Sequence, residues 1–304
     1  MKRILYLIPL LLLAACHQPL PKPVSLEGRA QGTFYSIIYY DTLNRDFKPQ
    51  VDSLLDAFDL SCSLWKDSSL LCRINRGEEV ERDSVLSSLF LHSEQLNSYT
   101  GGAFDHSLGA LIRLWGFAKE KAIEPSQETI DSLLAYPRTE FNFNAIAQGY
   151  AVDLLGQFLS NQGITNYLIN LGGEVIAKGK KADGTPWRVG IERPAKNMDA
   201  IPEVELAIGL EDRSVVTSGS YRKYYEKEGR RISHTIDPRT GRPVEHSLLS
   251  ASVVSRESWY ADGMATAFMV MGLEGSLQFI EEHHDDPDIR AVFFIYDSCG
   301  QYKT

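Results

Sequence analysis

The chain has 304 residues, 43% of them hydrophobic and 23% charged, with a formal net charge of −9. That composition is globular and long enough for a large core, which excludes disorder for the bulk of the chain. The acidic balance and the absence of a long basic run argue against a nucleic-acid partner, so any phosphate group has to be met locally.

Residues 1–15 read as a processing segment. Lys2-Arg3 is a charged start, Ile4 to Leu13 is apolar but short for a bilayer span, and Leu13-Ala14-Ala15-Cys16 ends it with small residues before a cysteine. This resembles a bacterial lipobox, which implies cleavage before Cys16 and acylation of that thiol. The mature protein is then expected at the cell envelope, held to a lipid bilayer by its lipid. Residues 16–26 follow as a lipidated, Pro-rich tether, and residues 27–304 as the folded domain. Cys62, Cys72 and Cys299 remain, an odd number with no CxxC spacing; after export one bridge is possible, and so are buried free thiols.

Gly28 to Tyr40 is aromatic and β-branched and predicts a first strand. Val51, Leu54, Leu55 and Phe58 then recur at helical spacing after Pro49, up to Asp59-Leu60-Ser61. Cys62 to Asn75, with Trp65, lacks clean periodicity and suits a binding loop or a surface connection. A second helix is predicted over Ser84 to Tyr99 and is broken by Gly101-Gly102-Ala103-Phe104-Asp105. Two glycines there let backbone approach a ligand, and Phe104 with Asp105 suits a flat heterocycle and its polar edge; a glycine C-cap followed by a packed Phe gives the same pattern.

Leu108 to Phe117 is apolar, Ser126 suits the N-cap of a short helix with Ile130, Leu133 and Leu134, and Phe141 to Phe143 is strand-like. Asn144 to Ala151 leads into a helix with Tyr150, Leu154, Leu155, Phe158 and Leu159 aligned and Gly163 as its stop. A helix start reached through small residues offers free amides to phosphate. Tyr167 to Ile169, Gly172-Gly173 and Glu174 to Ala177 predict a hairpin, and Trp187 to Ile191 and Val204 to Leu210 alternate as half-buried strands. The dinucleotide, P-loop, zincin and nucleophile-elbow motifs are all missing.

The chemistry concentrates between Thr217 and Thr266. Val215-Val216 and Arg231 to Ile236 read as strands, and Asp237-Pro238 with Thr240-Gly241 makes a turn that places His234 near a strand end. Asp262 and Thr266 are four apart in a segment of helical periodicity, so a carboxylate and a hydroxyl share one face. Two such oxygens suit magnesium, which binds few protein groups and takes other ligands from substrate phosphates; a solvated helix face looks the same. Ser250 to Ser255 as strand, a further helix near Gly275 to His283 and a strand over Ala291 to Tyr296 complete the chain.

Seven pieces in this order resemble the ApbE family of FAD:protein FMN transferases: Gly32-Thr33; Gly102 to Asp105; Ala145 to Asp153; Leu171-Gly172-Gly173; Thr217-Ser218-Gly219; His234 to Gly241; and Ala261-Asp262 with Thr266. The resemblance implies an α+β fold, one T-fold-like unit with antiparallel sheets and packed helices. It also implies a magnesium-dependent enzyme that cleaves FAD at its pyrophosphate and moves the FMN half onto a threonine hydroxyl of an acceptor protein, such as an exported or membrane redox subunit. On the matched positions, Asp262 and Thr266 supply side-chain oxygens to the metal and Ala145 a backbone carbonyl. Gln31, Trp65, Ala103, Phe104, Asp105, Asn142, Gln148 and Thr235 line the FAD pocket, and His234 stands beside the reacting phosphate as the favoured base, with Asp237 or Asp262 able to share that role. The family often has Met, Asp and Lys where this chain has Gln31, Asn142 and Gln148; the amides are expected to alter affinity more than function. An FAD pyrophosphatase that releases FMN and AMP, and a flavin-binding lipoprotein without chemistry, are the competing readings.

Overall fold

A tight turn at Gln31-Gly32 folds the start of the domain back on itself. Both residues have positive φ, 52° and 75°, as a two-residue type I′ hairpin turn requires. The single strand expected over Gly28 to Tyr40 is therefore two, β1 (Val24–Ala30) and β2 (Thr33–Tyr39), paired antiparallel. Gln31 hides the turn because a non-glycine rarely takes this conformation. The computed structural model describes residues 22–117, 125–136, 138–193, 203–220, 224–227, 230–298 and 301–304. Residues 1–15, Cys16 and Cys299 lie outside them, and β1 already begins inside the stretch assigned to the tether.

The chain continues through α1 (Lys48–Cys62), α2 (Leu70–Asn75), α3 (Ser84–Tyr99), α4 (Gly109–Leu114), α5 (Gln127–Ala135) and α6 (Ala147–Asn161). Caps explain several starts: the side chains of Ser69, Asp83 and Ser126 accept from the amides of Cys72, Leu86 and Thr129. Part of the connection expected over Cys62 to Asn75 is thus helical. Phe141 to Phe143 is not a strand, because the Phe141 amide is taken by the Asn75 side chain and the Asn142 amide by the His106 carbonyl. Strands β3 (Tyr167–Leu171) and β4 (Glu174–Lys178) form the expected hairpin. They are followed by β5 (Trp187–Glu192), β6 (Val204–Leu210), β7 (Arg213–Gly219), β8 (Tyr224–Lys227), β9 (Arg230–Ser233), β10 (Ile236–Asp237), β11 (Arg242–Pro243) and β12 (Leu248–Ser255). Helix α7 (Ser258–Glu282) and strands β13 (Ala291–Ser298) and β14 (Gln301–Lys303) finish the order.

One antiparallel eight-stranded sheet runs β1-β2-β3-β4-β7-β12-β13-β14. Alternation along its strands sends Tyr35, Ile37, Ile169, Leu171, Val216 and Val253 to one face, where α1, α3, α6 and α7 pack. The other face buries Val175, Val215 and Val254 under Trp187 and Leu210 of the β5–β6 ribbon. The fold is therefore mixed α and β in a single domain with antiparallel sheets, as expected. Helix α7 is buried almost all round through its first half, and Gly272, at φ 72°, breaks it before the turns that the sequence presents as a separate helix. No helix among the described residues is long and apolar enough to cross a membrane. Cys62, buried, and Cys72, partly buried, are free thiols.

Candidate active site

Asp262 sits in the buried half of α7 and is only 5% exposed, so the solvated-face reading of Asp262 and Thr266 fails. Its Oδ2 accepts the Gly149 amide of α6 at 3.0 Å. Burial, and next the nearby Glu174 carboxylate, push the Asp262 carboxyl well above the usual range; the opposing influence is the Gly149 amide rather than a lysine or arginine. One turn on, the Thr266 hydroxyl meets the Ser218 hydroxyl at 3.2 Å. Ser218 points inward from β7, whereas Thr217 faces the other way and bonds Ser252 at 2.7 Å.

The start of α6 is built around this carboxylate. Asn142 is buried, and its side-chain oxygen accepts the Asn144 amide at 2.9 Å, which fixes the turn that carries Ala145. Because the Gly149 amide is turned over to Asp262, the Ala145 carbonyl accepts no hydrogen bond among the described residues. Gly172, at φ 69°, brings the β3–β4 turn against the same place: a Cβ there would lie 2.6 Å from Gln148 Nε2, 2.9 Å from the Thr33 methyl and 3.2 Å from Glu174 Oε2. The sheet end thus gathers Thr33, Gln148, Gly172 and Glu174, with Gln31 in the adjoining turn. The Gln31 Nε2 atom is buried and has no partner among the described residues, which suits a ligand-facing amide.

Two further loops are joined by a residue that no motif marks. Arg138 pairs with Asp105 at 2.6 Å and donates to the Pro238 carbonyl at 2.8 Å, which ties the loop after α3 to the turn after His234. That turn is docked on α4 and α5 through the Trp115 indole, which donates to the Gly241 carbonyl at 2.8 Å. His234 is partly exposed and meets the Phe117 ring edge-on at 6.3 Å. The Thr235 amide donates to the Ser233 hydroxyl and its carbonyl accepts from Val244. Burial raises and the Arg239 pair lowers the Asp237 carboxyl, with the net result below its ordinary value.

Phe104 departs from expectation. Its ring is 1% exposed in the main core, its amide is taken by the Thr100 hydroxyl and its carbonyl by the Asn97 side chain, so it cannot face a heterocycle. The packed-Phe alternative holds for it, and Ala103 beside it is buried at 3%. Trp65, by contrast, is 64% exposed on the α1–α2 connection and free to cover a flat ligand. Residues that the sequence did not single out are Glu174, Arg138 and His106. The His106 ring is stacked between Phe141 and Phe143 at 5.6 and 5.5 Å, its Nδ1 is buried without a partner among the described residues, and burial lowers its basicity.

The comparisons with known proteins decide the family. Residues 31–293 match the model of the ApbE family. The chain belongs to that family. It is 34% identical over 301 residues to an FAD:protein FMN transferase of Vibrio cholerae, covering 90% of this chain and 89% of that one. Against the FAD:protein FMN transferase of Escherichia coli K12 the identity is 32% over 308 residues, with 92% and 86% covered. Among solved structures, the flavin transferase ApbE from Vibrio cholerae superposes with a TM-score of 0.80 at 31% identity, covering 93% and 96%. The apo flavinyl transferase ApbE of Pseudomonas stutzeri gives 0.81 at 31%, covering 92% and 93%.

No group of three or more His, Cys, Asp and Glu among the described residues makes a metal cluster. Magnesium does not need one, since it keeps waters and takes substrate oxygens. A buried carboxylate under a second carboxylate's field, with a hydroxyl one turn on and, at the start of α6, the Ala145 carbonyl that accepts no hydrogen bond among the described residues, is a donor set that fits a hard cation.

Proposed function

We propose that this chain transfers the FMN moiety of FAD onto a threonine hydroxyl of an acceptor protein, with magnesium held by Asp262, Thr266 and the Ala145 carbonyl. The observation that carries the reading is the buried Asp262 carboxylate, held by an amide and repelled by Glu174, in a member of a family whose relatives carry the transferase name. Magnesium, when bound, neutralises charge at the pyrophosphate. The rest falls to the protein's own groups. Gln31, Gln148 and Asn142 present amides where the FAD lies, the exposed Trp65 ring covers its flat part, and Asp105, clamped by Arg138, offers a fixed polar edge.

In the transfer, the acceptor threonine oxygen bonds to the phosphorus of the FMN half and the bond from that phosphorus to the AMP oxygen breaks. His234 takes the threonine proton. Asp237 is the poorer base because its carboxyl is committed to Arg239 and held low, and Asp262 is committed to Gly149 and the cation. Positioning supplies much of the rate, as expected for phosphoryl transfer. We place the mature protein at the bacterial cell envelope, anchored through an acylated Cys16, on the strength of the lipobox-like start.

Incubating the purified protein with FAD, magnesium and an exported flavoprotein subunit tests the reading. FMN bound covalently to the acceptor, with AMP released in equal amount, is the expected result. Free FMN with AMP identifies a pyrophosphatase, and unchanged FAD a binding protein.

A further inference from the structure

Helix α7 begins without a cap of its own. Its N-cap residue is Glu257, whose side chain bonds no amide of the first turn. The acceptor comes from another helix: Asp153 of α6 receives the Ser258 amide on Oδ1 and the Trp259 amide on Oδ2, each at 2.8 Å. One turn earlier on α6, the Gly149 amide donates to Asp262, one turn later on α7. The two helices are therefore latched twice, at Asp153 with Ser258 and Trp259 and at Gly149 with Asp262, and each latch lies four residues from the next. Between the latches the helices touch so closely that a Cβ on Gly149 would lie 2.7 Å from the Ser258 carbonyl carbon and 2.8 Å from Asp262 Cβ.

We infer that Asp153 is a positioning residue for the metal site: by gripping the first turn of α7 it sets the height at which Asp262 and Thr266 face the start of α6. The inference rests on the metal reading above. A cap that merely stabilised α7 could stand at position 257, as Ser, Thr, Asp or Asn does in most helices, without burying a carboxylate. Placing the acceptor on α6 instead couples the start of α7 to the helix that also carries Ala145 and Gly149. Burial makes this an expensive arrangement, since it pushes the Asp153 carboxyl up to about 7. A displacement of half an ångström at a ligating carboxylate matters to a small cation that demands near-ideal geometry.

The test uses magnesium alone as the probe, titrated calorimetrically into the purified full-length protein and four variants: D153N, D153A, D153A/E257S and D262N. Thermal melts confirm that each is folded at the working temperature. D153A is expected to weaken magnesium at least about tenfold, the scale on which outer-shell partners of a metal site act, and D153N, which keeps one acceptor, is expected to fall between it and wild type. In D153A/E257S a serine caps α7 locally, so the melting temperature should recover while magnesium affinity should not. Recovery of both, or wild-type affinity in D153A, overturns the positioning role and leaves Asp153 as a cap. D262N separates the two claims: undiminished magnesium binding there removes the metal reading itself, whereas lost binding in D262N with wild-type binding in D153A removes only the inference about Asp153.

Discussion

Gly149→Ala puts one methyl group where the structure has no room for it. The added carbon would collide with the Ser258 carbonyl and stand 2.8 Å from Asp262 Cβ, against the 3.4 Å at which ordinary contact begins, so α6 and α7 must part by at least about 0.6 Å. Alanine in a helix gains about 1 kcal/mol over glycine, and overpacking costs about 1–3 kcal/mol, so the net loss of stability is at most about 2 kcal/mol. The effect on chemistry is expected to be larger, because the same shift stretches the Gly149–Asp262 hydrogen bond from 3.0 Å and moves the carboxylate. FMN transfer measured across magnesium concentrations should need at least about tenfold more magnesium, with urea unfolding showing a protein still folded. A G149A protein with wild-type magnesium dependence would refute the claim that this contact sets the position of Asp262.

Ser218→Ala should lower transfer several-fold by freeing the Thr266 hydroxyl, whereas Thr217→Val should leave it within about twofold, because that hydroxyl faces Ser252 on the other side of the sheet; equal losses in an acceptor assay would contradict the facing. Trp115→Phe leaves the Gly241 carbonyl without its donor and should cost about 1–3 kcal/mol in urea unfolding, with the His234 turn loosened and transfer slowed more than FAD binding. Asp153 has a carboxyl raised by burial, so its contribution favours the folded state below the ordinary carboxylate range and is lost as pH rises to about 7. The stability of D153N relative to wild type should therefore rise across that window, by up to about 1.4 kcal/mol per pH unit; a difference that stays flat with pH would contradict the assignment.

Much of this fold is local and therefore legible. The helix expected over Ser84 to Tyr99 is present, Ser126 caps α5 as expected, and Gly172-Gly173 announces the β3–β4 turn. The turn at Gln31-Gly32 was not legible because the first of its two left-handed residues is not a glycine, and Phe141 to Phe143 misled because aromatic density there serves packing around Phe90 and His106. In the site, Asp262 meets Gly149, Thr266 meets Ser218, Gln148 lies against the Gly172 turn and Asn142 fixes the turn before α6, contacts between residues far apart in sequence that periodicity alone does not reveal. Arg138 and Glu174 did not show, since one acts through pairs distant in sequence and the other looks like any polar strand residue. Phe104 shows the converse: a residue inside a recognised motif whose side chain is spent on the core.

The most direct test of the account is peptide mass spectrometry of envelope proteins from cells that carry this gene, lack it, or carry its Asp262→Asn form. At least one exported protein with FMN linked through phosphate to a threonine is expected in the first strain, with that modification lost in the other two. The same threonine modified in all three strains would contradict it.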